Sequence, residues 1–164
     1  MKILLAVDAS DASEKAVRHI GEIFGQGGRP VKVTLYHALE SLPEYLVSRI
    51  NGPQQSAEFR SVAEEWVNDL RNNARDILAT HQQKLVAAGI PSTAIETKIA
   101  EVEAMPGAKK VVAAMAIIEE MKRGDYAIVC LGRRGNSASI SVFPGSVAEK
   151  VLREGAGVTV WIVD

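Results

Sequence analysis

A single cysteine, Cys130, excludes an intrachain disulfide, and the three histidines fall at no spacing that a zinc site uses. An excess of charge of one sign is also missing. Nineteen Lys+Arg stand against twenty Asp+Glu, a net charge of −1, so no overall cationic field gathers nucleic acid or anionic lipid. Long hydrophobic runs are absent too: the opening MKILLAVDAS breaks at Asp8, short of a signal-peptide apolar region, and nothing approaches the ~18 residues of a membrane-spanning helix. These absences point to a cytoplasmic protein without nucleic-acid or membrane partners. Internal repeats and low-complexity tracts are not found either. What is there is a chain of 164 residues, 47% hydrophobic and 24% charged. A chain of this size buries roughly 70% of its unfolded surface without metal or disulfide staples, and residues 1–164 read as a single domain.

Residues 3–7 form a continuous apolar run, too short for a helix, which is how a strand buried on both faces of a parallel sheet reads. Asp11, with Glu14 three residues on, resembles a capping box and opens a helix whose apolar positions are Ala16, Val17, Ile20 and Phe24. Gly25, Gly28 and Pro30 stop it. Residues 31–39 carry the β-branched and aromatic mixture of a second strand. Residues 41–55, with Pro43, Gly52 and Pro53, read as a surface loop. A long amphipathic helix follows, its core stripe Phe59, Val62, Trp66, Leu70, Ala74, Ile77, Leu78 and Leu85 running until Gly89 and Pro91. Residues 95–100 make a third strand with one polar face, Glu96 and Lys98. An irregular piece around Met105, Pro106 and Gly107 leads to a helix marked by Val111, Ala114, Met115, Ile118 and Met121. Residues 126–131 (YAIVCL) are a buried strand in which Cys130 reads as a small hydrophobe, and residues 158–163 close a fifth strand after a helix that begins at Gly145.

The order β-α-β-α-β-α-β-α-β with right-handed crossovers defines a doubly wound, open five-stranded parallel sheet, an α/β/α Rossmann-like fold. Ligands in such sheets bind beyond the carboxyl ends of the strands, at the switch point, which here means Asp8, Ala38 and the loop after Leu131. That loop holds Gly132 and Gly135 around Arg133 and Arg134, then nine residues, then Gly145 and Ser146 at a helix start. Glycines admit close backbone approach, and a helix N-terminus favours an anion. Residues 126–148 include both arginines and no acid, so the local field is positive and suits a phosphate-bearing ligand. The same loop also reads as a flexible turn with solubilising arginines, Asp8 as a helix cap and His37 as a packed residue near a strand end.

The spacing Gly-x2-Gly-x9-Gly-Ser resembles the nucleotide-binding signature of the universal stress protein family, in its ATP-binding branch. MKILLAVDASDASEKAV, VTLYHAL, DYAIVCLGRRG and GSVAEKVLREGAGVTVWIVD are similar to that family's first, second and fourth strands and its closing helix and strand. The resemblance covers nearly the whole chain; departures fall at residues 41–55 and 100–106. It implies an adenine-nucleotide-alpha-hydrolase-like fold and ATP, ADP or AMP as ligand, with Mg²⁺. Asp8 is implied at the adenosine end, where an acceptor suits an amino group or a ribose hydroxyl. Ala38 would meet adenine through its backbone, Gly132 and Gly135 would pack on ribose and the first phosphates, and Gly145, Ser146 and Val147 would hold the outer phosphates. The use of Arg133 and Arg134 is inferred from charge alone. The resemblance also implies a homodimer paired through the C-terminal strand, where Trp161 is either core or interface.

Walker A, the dinucleotide fingerprint and Gly-x-Ser-x-Gly are all absent. The acid nearest Ser146 in sequence is Glu149, and neither a dedicated base nor a metal-ligand set is legible. The reading is an ATP-binding regulatory module acting on an unknown protein partner in the stress response, with slow hydrolysis allowed; the alternative is a nucleotide-independent dimeric interaction protein.

Overall fold

The computed structural model describes residues 1–27, 30–39, 45, 48, 57–100, 109–134, 144–155 and 157–164, with backbone alone at 57–59 and 109–112. The loop at 41–55, apart from Tyr45 and Ser48, lies outside the described residues, as do the turn around Met105 and Gly135.

Five strands, β1 (Lys2–Ala6), β2 (Lys32–Ala38), β3 (Ile95–Ala100), β4 (Ile128–Gly132) and β5 (Thr159–Val163), pair in parallel in the order β3-β2-β1-β4-β5. Among the described residues, the α-helices that connect them are α1 (Asp11–Phe24), α2 (Ala57–Ala87), α3 (Lys109–Arg123) and α4 (Ser146–Glu154). The chain steps from β1 through β2 to β3 in one direction and then crosses to β4 and β5 in the other. Because crossovers are right-handed, this reversal puts α1 and α2 on one face and α3 and α4 on the other.

Side-chain alternation along the strands builds a core on each face. Ile3, Leu5, Val33 and Leu35 pack with Val17 and Ile20 of α1 and Leu78 and Leu85 of α2. Leu4, Ala6, Val129 and Leu131 pack with Ile117 and Met121 of α3 and Ala148 and Val151 of α4. Both faces of the central strands are buried, which is why residues 3–7 and 126–131 read as unbroken apolar runs. Cys130 is fully buried, and that burial pushes its thiol up to about 12. It behaves as a small hydrophobe.

Two sequence expectations need correction. The stripe assigned to the core along the long helix holds only over its C-terminal half: Ala74, Leu78 and Leu85 are buried, whereas Trp66 is half-buried and Val62 is 46% exposed. The physical reason is length. At 1.5 Å per residue the 31 residues of α2 span roughly 46 Å, about twice the length of the strands beneath, so its N-terminal turns overhang the sheet. The start of α1 also differs from the Asp11–Glu14 box. Ser10 is the N-cap, its Oγ accepting from the Ser13 amide at 3.2 Å, and the Glu14 carboxylate instead reaches Lys84 of α2 at 2.7 Å. The amide of Ser10 itself donates to Asp8 Oδ1 at 3.0 Å.

The edges of the sheet differ in character. On β3, Glu96 and Thr97 are exposed, and Lys98 Nζ bonds Glu120 of α3 at 2.9 Å. On β5, Val160 through Val163 are all half-buried; Trp161 stacks on Phe24 with ring centroids 6.3 Å apart and meets His19 edge-on, so its ring belongs to the α1 side of the core. Among the described residues no helix is long and apolar enough to cross a membrane.

Candidate functional site at the switch point

Strands β1, β2 and β4 end near one another: Ala6, the last residue of β1, pairs with Tyr36 and Leu131, and β2 runs on to Ala38 and β4 to Gly132. Beyond these ends lies a cavity of about 430 Å³, within the usual range for small-molecule sites. Asp8 after β1, Ala38 at the end of β2, and Gly132, Arg133 and Arg134 at and after β4 all line it. Gly145, Ser146 and Val147 line it from the start of α4. The sequence reading did not supply the side walls, which are Leu70, Asn73 and Ile77 of α2 and Ala113 and Ile117 of α3. The overhang of α2 is what places Leu70 and Asn73 there.

The β1–α1 turn is closed by its own side chains. Asp8 Oδ1 accepts from the Ser10 amide, from the Ser10 hydroxyl, and from the buried Ser13 hydroxyl at 2.6 Å, while the Asp8 amide donates to Ser13 Oγ at 2.9 Å. Two histidines hold the carbonyls that precede it. His37 Nδ1 lies 2.8 Å from the Val7 oxygen, and His81 Nε2 of α2 lies 3.1 Å from the Asp8 oxygen. A carbonyl only accepts, so each of these nitrogens carries the proton. His81 is 5% exposed, and its Nδ1 is buried without a partner among the described residues. Burial, helped by the Lys84 charge, holds its pKa below the usual value against the Asp8 carbonyl and the Glu14 and Asp8 charges.

The described ends of the β4–α4 connection differ from the β1–α1 turn. They meet through the backbone, where the Gly145 amide donates to the Arg133 carbonyl at 2.8 Å and the Arg133 amide to the Val163 carbonyl at 2.7 Å. Gly145 is the N-cap of α4 with φ −63° and ψ 159°, and it brings no side-chain acceptor to the first-turn amides. The Arg133 guanidinium pairs with the Asp164 carboxylate and holds that carboxyl below its ordinary range. Arg134 is half-buried, and its Nε has no partner among the described residues. The turn therefore presents donors and positive charge to the cavity.

The geometry changes the reason for Gly132. A Cβ built there would stand 2.7 Å from the carbonyl carbon and Cβ of Ala12, so this glycine lets β4 pass the start of α1. At Gly145 a Cβ would meet the Arg133 oxygen at 3.2 Å, a tight contact without a severe overlap.

Fold and cavity together define a doubly wound α/β protein with a pocket at the switch point of its sheet. The model of the universal stress protein family matches residues 1–164, and the chain belongs to that family. No curated protein matches the sequence significantly. Among solved structures, the universal stress protein UspA from Lactobacillus plantarum is similar at 19% identity and a TM-score of 0.71, covering 100% of this chain and 97% of that one. A universal stress protein in complex with cAMP aligns at 21% identity and 0.61, covering 99% and 95%. A universal stress protein family protein from Arabidopsis thaliana with AMP bound aligns at 19% and 0.58, covering 99% and 90%.

Proposed function

We propose that the protein binds an adenine nucleotide, ATP foremost, in the switch-point cavity, and that occupancy changes its contacts with a partner in a cytoplasmic stress response. The observation that carries this reading is the glycine-capped N-terminus of α4 opening, with Arg133 and Arg134, onto one end of a cavity of about 430 Å³. First-turn amides without a cap and a positive local field favour an anion. Relatives of the same fold holding AMP and cAMP support the adenine nucleotide as the ligand class. Among the described residues no three His, Cys, Asp or Glu side chains gather as a metal-ligand set. Mg²⁺ would accordingly be held chiefly by the phosphates and water, neutralising phosphate charge. Glu149 is the acidic residue of the first turn of α4, too little machinery for more than slow hydrolysis.

Isothermal titration with ATP, ADP, AMP and GTP, with and without Mg²⁺, tests the reading. Adenine nucleotides should bind in preference to GTP; no binding of any adenine nucleotide at millimolar concentration would overturn it. We further propose a homodimer through β5, whose half-buried apolar residues lie at a sheet edge. Sedimentation should give a dimer at tens of micromolar that Val160→Pro weakens, because proline removes a ladder donor. A wild-type monomer would refute the dimer, and a proline variant of equal affinity would refute this seam.

A further inference from the structure

The cavity proposed for the nucleotide, a reading on which the role of His37 below depends, has two chemically different ends. Donors gather at β4 and α4: the open amides of the first helical turn, Arg133 and Arg134. The end of β2 lies across β1 from them, two strand spacings or about 10 Å away, so a ligand with phosphate at α4 lays its nucleoside half over β1 and β2. At that end one carboxylate oxygen of Asp8 is already committed, accepting from three donors of its own turn.

His37 differs. It is half-buried and among the residues that line the cavity, Nδ1 donates to the Val7 carbonyl at 2.8 Å, and Nε2 takes no partner among the described residues. The bond to Val7 places the single proton of the neutral ring on Nδ1 and leaves Nε2 a bare acceptor. His81 shows the opposite tautomer at the next carbonyl, with its bare nitrogen sealed away in the core. We infer that His37 is a specificity residue whose Nε2 accepts a hydrogen bond from a donor on the nucleoside half of the ligand. The donor is either an exocyclic amino group or a ribose hydroxyl; both offer the same chemistry.

Three analogues separate these sources: purine riboside triphosphate lacks the 6-amino group, and 2′-deoxy-ATP and 3′-deoxy-ATP each lack one hydroxyl. Each is titrated against wild type and His37→Asn, since asparagine keeps an N–H for the Val7 carbonyl but has nothing at the Nε2 position. A neutral hydrogen bond should be worth roughly three- to tenfold in affinity. His37→Asn should lose about that factor for ATP and lose nothing for the one analogue that lacks the donor. His37→Gln, with an amide oxygen near the Nε2 position, should recover part of it. Long-range ¹H–¹⁵N spectra of the wild type should show the proton on Nδ1 and a shift of Nε2 on adding ATP. The inference is overturned if Nε2 carries the proton, or if His37→Asn weakens ATP and all three analogues equally. A wild type that binds no nucleotide defeats the underlying reading instead, and the two failures are told apart by the wild-type titration alone.

Discussion

The β1–α1 and β4–α4 connections lie side by side at the switch point, and each joins a central strand to a helix, but the polar groups described in them are disposed in opposite ways. In the first, Asp8, Ser10 and Ser13 bond one another and Ser10 caps α1, with His81 closing the turn from behind. In the second, a glycine stands where Ser10 stands in the first, and the helix amides and Arg134 Nε face outward without side-chain acceptors among the described residues. A helix start either satisfies its amides internally, which fixes the turn, or leaves them for an anion. This chain has one of each form, a helix start capped by its own serine beside one capped by glycine. The two turns touch through Gly132 and Ala12.

The largest effect should come from breaking that contact. Gly132→Val places a branched Cβ 2.7 Å from backbone atoms of Ala12 that no rotamer change can relieve. We expect a loss of about 3 kcal/mol of stability, and a melting temperature lower by roughly 6 to 12 °C, from overpacking between two turns. Thermal unfolding followed by circular dichroism measures it. An unchanged melting temperature would show that the Gly132–Ala12 contact tolerates a side chain, and would remove it from the comparison.

The contact at Gly132, which the sequence did not disclose, also explains what it conveyed well. Burial against an element's own neighbours leaves a periodic trace, so the apolar runs at residues 3–7 and 126–131 and the stripe on α1 disclosed five strands, alternating helices and a doubly wound sheet. The signature glycines and Asp8 likewise led to the strand ends around which the cavity is built. Contacts between distant segments leave no such trace. Ala12 against Gly132, Lys98 on Glu120 and Glu14 on Lys84 depend on how the elements dock. The overhang of α2 had a signal that could have been used, since 31 helical residues exceed any strand of five to seven. Of the N-terminal positions assigned to the core, Val62 is exposed and Trp66 and Leu70 are only half-buried.

A second, smaller effect tests the closed turn through pH. Burial depresses the folded-state pKa of His81, so the unfolded chain takes up a proton at higher pH than the native protein does. Stability from this group is complete above the unfolded value, about 6.5, and falls as the pH drops through that value toward the lowered native one. The slope reaches at most about 1.4 kcal/mol per pH unit. His81→Gln keeps an amide N–H for the Asp8 carbonyl but does not titrate. Urea midpoints for wild type and variant should converge on acidification, with wild type losing more between about pH 7 and pH 5. Parallel pH profiles would show that His81 is not what closes the turn from behind.

The smallest effect on stability should accompany a large effect on binding, and it would make the glycine-capped helix start resemble the serine-capped one. The φ of −63° and ψ of 159° at Gly145 suit any L residue, so Gly145→Asp can be accommodated with only the 3.2 Å approach to the Arg133 oxygen to relax. An aspartate at this N-cap accepts from the amides of Val147 or Ala148, as Ser10 does at α1, a gain of a few tenths of a kcal/mol over glycine that the tight contact offsets. Net stability should therefore stay within about 0.5 kcal/mol of wild type. Binding should not. The carboxylate occupies the amides and brings a negative charge to the end of the cavity assigned to phosphate, so ATP affinity should fall at least about tenfold, while Gly145→Ser, capping without charge, should lose less. Titration calorimetry beside thermal unfolding separates the two quantities. If Gly145→Asp binds ATP as tightly as wild type, the first turn of α4 is not where the phosphates sit, and the two turns differ in construction without differing in use.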